Sequence, residues 1–248
     1  DGEILQKARV HPIAILAALM TYKAGRSAKG NGVWTPVSTI VDALDEAFYE
    51  SFKYVTPSGK RILLALDVSG SMTGGEVAGI PGLSPRIASA AMAMVIAKTE
   101  KNHAFVAFSS GRKGEWIKGN GRSMHSGWKA GISSIDISPR MRMDSVIKEI
   151  EKIPMGGTDC ALPMLYADAK GLDVDGFIVL TDSETWAGDI HPSQALKDYR
   201  KSRGIQSKSV TVGMVSNGFT LADPKDGGML DVVGFDTSAP QIISDFVK

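Results

Sequence analysis

A chain of 248 residues is long enough for one sizeable α/β domain with a short extension, and 43% hydrophobic with 22% charged residues is ordinary globular composition. A formal net charge of +1 excludes a global field for nucleic acid or membranes, so any such patch must be local. The single cysteine, Cys160, excludes an internal disulfide and a cysteine-based zinc site, and it fits a reducing, cytoplasmic setting.

The longest apolar run, Pro12 to Met20, is too short to span a bilayer and lacks the flanks of a signal peptide. No membrane association is expected. The chain begins at Asp1 and runs straight into a helical pattern, so we expect a piece of a longer protein.

His11-Pro12 opens a helix to about Tyr22, with proline where its missing N–H costs nothing. Thr35-Pro36 is expected to cap a second helix carrying Val37, Ile40, Val41, Leu44, Phe48 and Phe52 at three-to-four spacing. After the turn Thr56–Gly59 the regime changes. Arg61–Asp67 is a continuous apolar run ending in a carboxylate, as a buried parallel strand would. Ser84-Pro85 starts a helix to Lys101, and His103–Ser109 reads as a strand. Gly111–Pro139 is a Gly/Ser-rich excursion with one short strand, followed by helices near Arg142–Lys152 and Ala161–Lys170. Asp175–Asp182 is a second apolar strand ending in an acid. A helix over Pro192–Arg203, strands at Ser209–Val215 and Asp231–Gly234, and a helix from Ala239 complete the chain. Strands alternating with helices predict an α/β fold: a doubly wound, mostly parallel sheet flanked by helices.

In such folds ligands sit beyond the carboxyl ends of the strands, which puts Asp67 and Asp182 at one edge. Asp67, Ser69 and Ser71 set one carboxylate and two hydroxyls on alternating residues of a loop that Gly70 lets turn. Thr158, after Gly156-Gly157, offers a third hydroxyl from a second loop, and Asp182 can bind through water or orient the others. Hard oxygen donors with few charges suit Mg2+ or another divalent cation and leave it short of anionic ligands. Such a cation seeks a carboxylate or phosphate from outside, which is binding chemistry.

At these residues the sequence resembles the von Willebrand A family, whose metal site uses Asp-x-Ser-x-Ser, a Thr and an Asp in this order. By that match Asp67, Ser69, Ser71, Thr158 and Asp182 are the metal ligands or their bridging partners. The segments His11–Gly25, Trp34–Lys53, Gly59–Met72, Gly156–Met164, Thr181–Gly188, His191–Lys201 and Ser216–Asp236 are similar to the Ro autoantigen (TROVE) ribonucleoproteins. The resemblance implies the C-terminal portion of a bacterial-type member: a helical extension over 1–58, ending the repeat region, and an A-type domain over 59–248. It further implies binding of Y RNA and of misfolded or structured RNA through the full-length protein, a role in RNA quality control, and an exoribonuclease or acidic protein ligand at the metal site.

Between Gly111 and Arg142 the bases Arg112, Lys113, Lys118, Arg122, Lys129, Arg140 and Arg142 face only Glu115 and Asp136, with Trp116, His125 and Trp128 interleaved. Such a segment can lie on phosphates and stack on bases, though a solvated excursion with its tryptophans packed down is the stronger expectation. His103, His191 and Asp159 are expected to be structural or capping, Cys160 and the methionines core residues, and Glu184 and Trp186 the rim of the metal face.

Two other function classes compete. A strand ending in Asp suits a Mg-dependent phosphohydrolase, but Asp67 is followed by Ser69 rather than a second acid, and no phosphate-binding loop, nucleophile elbow or basic phosphate clamp accompanies it. An adhesion-type protein-binding module is disfavoured by the lack of disulfides. A non-catalytic binding domain is the reading that the residues favour.

Overall fold

The computed structural model describes residues 11–27, 30–77, 80, 82–110, 130–153, 156–182, 188, 190–215, 220–236 and 238–248. Among them run helices α1 (Pro12–Lys23) and α2 (Ser38–Glu50), strand β1 (Ile62–Asp67), helix α3 (Pro85–Thr99), strands β2 (His103–Ser110) and β3 (Ala130–Ser134), and helices α4 (Met143–Glu151) and α5 (Leu162–Ala169). Strand β4 (Gly176–Thr181), helix α6 (Pro192–Arg203), strands β5 (Lys208–Gly213) and β6 (Met229–Val233), and helix α7 (Ala239–Val247) follow.

The sheet has the order β3-β2-β1-β4-β5-β6. All neighbouring pairs are parallel except β2–β3, which places the one antiparallel strand on an edge. β1 and β4 lie in the middle, and every residue of both is buried. That explains their unbroken apolar runs: a central parallel strand meets helices on both faces. Side chains alternate between two cores. Leu63 and Ala65 join Phe108, Phe177 and Val179 beneath α5 and α6. Leu64 and Leu66 join Phe105, Ile178 and Val210 on the opposite face with α3 and α7.

Helix α3 is buried continuously from Ala88 to Ala97, so it needs cover on its outer side as well as on the sheet. α1 and α2 supply part of that cover, and Leu16, Leu19, Val41, Phe48 and Phe52 belong to the same core as the sheet. Phe48 lies 6.2 Å from Phe235 and 5.5 Å from Phe52, centroid to centroid. Asp45 accepts from the Met143 amide at 3.1 Å, tying α2 to α4.

The second helix departs from expectation at its start. Its N-cap is Val37, with no side-chain cap bond, and not Thr35-Pro36. Pro36 favours an extended residue before it. Val37 and Ile40, expected in the buried stripe, are 49% and 44% exposed, so the stripe that packs begins at Val41. The other proline-led helices start as read. Ser84 Oγ accepts from the Ile87 amide at 3.3 Å, and His191 Nδ1 accepts from the Ser193 amide at 3.3 Å. Gly204, at φ 66°, closes α6 in the left-handed region where glycine carries no Cβ penalty.

The register fixes the edge that matters. Leu66 stands opposite Leu180, so Asp67 and Thr181 follow at adjacent strand ends, with Asp182 just beyond.

Candidate metal centre

Asp67 ends β1 with its side chain 1% exposed. Its Oδ1 accepts from the Ser69 amide at 2.8 Å, which folds the loop back over the strand end. Its Oδ2 accepts from Thr181 Oγ1 at 2.6 Å. Ser69 Oγ lies 3.2 Å from Ser71 Oγ, so the alternating hydroxyls do converge, Ser69 buried and Ser71 exposed.

The second loop is clipped to the first by backbone. The Gly70 amide donates to Gly156 O at 3.0 Å, and Ser109 Oγ at the end of β2 donates to Gly157 O at 2.7 Å. Thr158, next along, is fully buried, and its hydroxyl has no hydrogen-bond partner. Leaving such a group unmet costs about 1–3 kcal/mol, so this orphan points to an acceptor or a cation. Asp182 is 5% exposed, its Oδ1 3.4 Å from Thr181 Oγ1. Asp67, Ser69, Ser71 and Asp182 are thus linked through short contacts, and the Thr158 loop is pinned against them.

The electrostatics of this rim are unbalanced. Burial pushes the Asp67 carboxyl up to about 7, against hydrogen bonds from Thr181 and Ser69 that pull it down, and the charge of Asp182 adds to the rise. Two acids thus stand close enough for the charge of one to bear on the other. Among the described residues no three or more His, Cys, Asp and Glu side chains gather to hold a metal, at this rim or elsewhere, so the oxygens here are mostly hydroxyls. The donor set fits a hard, octahedral cation: two carboxylates, three hydroxyls, and an orphaned oxygen among them.

One contributor was not singled out from the sequence. Arg86, second residue of α3, is 7% exposed, and its Nη2 donates to Val68 O at 2.7 Å and reaches to 3.4 Å from Ser69 O. Burial holds its guanidinium below the usual range, with Asp67 and Glu151 drawing it back up. Its place in the first turn of the helix that follows the Asp67–Ser71 segment was the only hint.

The remaining candidates separate. Asp159 Oδ1 accepts from the Ala161 amide at 3.1 Å, a local turn bond leading into α5. His103 Nδ1 is 2.7 Å from Glu100 O, and Cys160 is buried. Met92, Met94, Met143 and Met164 are core residues. Arg142 pairs with Asp42 at 2.7 Å and Asp144 at 3.4 Å, whereas Arg140 is exposed. Arg112, Lys113, Lys118 and Arg122, with Trp116, His125 and Trp128, lie outside the described residues, as do Met155, Glu184 and Trp186. Among the described residues no helix is long and apolar enough to cross a membrane.

Comparison with known proteins supplies a lineage for this geometry. The chain is 41% identical over its whole length to the RNA-binding protein RO60 of Deinococcus radiodurans, covering 43% of that protein. It is 40% identical to the RNA-binding protein RO60 of Caenorhabditis elegans, covering 35% of it. The chain therefore spans less than half the length of these relatives. It matches the crystal structure of the RO (RSR) protein of Deinococcus radiodurans with a TM-score of 0.75 and 41% identity, covering all of this chain and 46% of that one. A family model described as the Ro60 vWA domain matches residues 61–247, and the chain belongs to this family.

Proposed function

We propose that this chain is the cation-binding, ligand-docking part of a Ro-type RNA-binding protein, and that it works by binding rather than catalysis. The observation that carries the reading is the pairing of two buried strand-end carboxylates, Asp67 and Asp182, with the orphaned hydroxyl of Thr158. Asp67, Ser69, Ser71, Thr158 and Asp182 hold Mg2+ or another divalent cation, directly or through water. The bound cation supplies a Lewis-acidic vacancy for one external carboxylate or phosphate. Few protein charges surround that vacancy, so an anionic partner completes the set. An acidic segment of a protein, an exoribonuclease among the candidates, has the required chemistry.

The RNA side of the reading rests on the relatives, both named RNA-binding proteins. In the full-length protein the partners are Y RNA and misfolded or structured RNA, in the service of RNA quality control in the cytoplasm. The division of labour follows 1–58 as a helical extension and 59–248 as the A-type domain. A phosphohydrolase is the less favoured reading, because Asp67 is followed by Ser69 rather than by a second acid.

Titration calorimetry with MgCl2 tests the metal reading: one Mg2+ per chain is expected, abolished in Asp67→Ala. Uptake that is indifferent to Asp67→Ala refutes the assignment. Fluorescence anisotropy with a structured RNA across a salt series tests the RNA reading, because phosphate contacts make affinity fall steeply with salt.

A further inference from the structure

Arg86 lies outside the donor set, yet it is buried directly behind it. Its Nη2 holds Val68 O at 2.7 Å and approaches Ser69 O at 3.4 Å. Those two carbonyls belong to the stretch of backbone from which Asp67, Ser69 and Ser71 project, three of the five oxygen donors. Burying a guanidinium is costly unless hydrogen bonds compensate, and here the compensation is incomplete, because Nε meets no acceptor.

The surroundings sharpen the point. Beside Arg86 lies a pocket of about 190 Å3, lined among others by Thr73, Ile147 and Glu151. The side chains of Val68 and Met72 are packed away inside, so what Arg86 adds is a hold on the loop's backbone carbonyls rather than on its side chains. A planar, permanently charged fork fits two neighbouring carbonyls in a way that an aliphatic side chain cannot.

We propose that Arg86 is a positioning residue for the cation loop, bracing the Val68–Ser69 backbone so that the Asp67, Ser69 and Ser71 oxygens face inward before the cation arrives. This rests on the metal reading of that site. Without the brace, the loop must order as the cation binds, and the ordering cost falls on affinity. A role through charge alone has the opposite sign: a guanidinium beside Asp67 repels a dication, so its removal would tighten binding.

Two variants of the whole chain, Arg86→Met and Arg86→Lys, separate these cases. Calorimetry with MgCl2 is paired with amide hydrogen exchange of Ser69–Thr73 against the β1 and β4 amides. For Arg86→Met we expect Mg2+ affinity to fall about tenfold, the scale of other supporting residues around metals. We also expect faster exchange in the metal-free loop, largely restored by saturating Mg2+, with Arg86→Lys intermediate and standing in should Arg86→Met not fold. Unchanged or tighter Mg2+ binding overturns the proposal, as does exchange that rises equally in β1 and β4. Should the unsubstituted chain take up no Mg2+, the metal reading fails by itself. Loop exchange in the metal-free variants then decides the brace, and unchanged protection overturns it.

Discussion

Asp67 and Thr181 face each other across the β1–β4 seam, joined by a 2.6 Å hydrogen bond from the threonine hydroxyl to Asp67 Oδ2. The same hydroxyl stands 3.4 Å from Asp182 Oδ1, but its single proton goes to the nearer acid. Thr181 therefore spaces two carboxylates and satisfies only one. Thr181→Val leaves a buried carboxylate short of a donor, and metal-free stability is expected to fall by about 2–3 kcal/mol. Saturating Mg2+ should shrink that deficit by compensating the carboxylate that has lost its donor. Urea unfolding with and without Mg2+ measures both, and an identical deficit in the two conditions argues against a cation at Asp67.

Thr158→Val reads the site from the opposite direction. The hydroxyl it removes is buried and unpartnered, so its loss relieves a desolvation cost without breaking a bond. The metal-free variant should be as stable as the parent or about 1 kcal/mol more so, while Mg2+ affinity drops roughly tenfold. A gain in stability bought by a loss in binding is the signature of a ligand-poised group. If stability falls and affinity holds, Thr158 is an ordinary core residue.

The parts of this site that could be read from sequence were those that periodicity makes visible. Arg61–Asp67 and Asp175–Asp182 announce central strands because burial on both faces demands unbroken apolar residues, and the parallel alternation then forces both terminal acids to one edge. Arg86 was illegible for a physical reason. An arginine in the first turn of a helix is normally solvated, and only the three-dimensional approach of that turn to the Val68 carbonyl buries it. The start of α2 was misplaced because Thr35-Pro36 has the composition of a cap, whereas the extended backbone continues to Val37. Exposure of Val37 and Ile40 likewise depends on what packs beside the helix, which its own spacing cannot tell.

Proton and cation compete for Asp67. Its carboxyl is raised from 3.8 to about 7, chiefly by burial. Between these values the folded chain keeps a proton that the unfolded chain has lost, so metal-free stability declines as pH rises from about 4 through 7. This is the reverse of a salt-bridged aspartate. Mg2+ requires the ionised form, so the rise in melting temperature that it produces should be small near about pH 5.5 and large near about pH 8. Asp67→Asn should flatten both trends. A Mg2+ effect that is equal at the two pH values would mean that Asp67 does not carry the cation.

The last prediction concerns how far the domain extends. Phe48 on α2 is fully buried, packed on Phe52 and on Phe235 just ahead of α7, in the core that also holds Leu64 and Leu66 of β1. α3, apolar on all sides, depends on that layer for its outer cover. If the first two helices were a separate unit, Phe48→Ala would produce an early partial melting and leave the main transition where it was. The shared core argues otherwise: truncating a buried phenylalanine costs about 3–5 kcal/mol, and the loss should appear in one transition of the whole chain. Mg2+ affinity well below that transition should be unchanged, because Phe48 packs on Phe235, which follows β6, three strands away from β1 in the sheet. Calorimetric melting shows which holds, and a split endotherm would mean that the helical extension folds apart from the sheet.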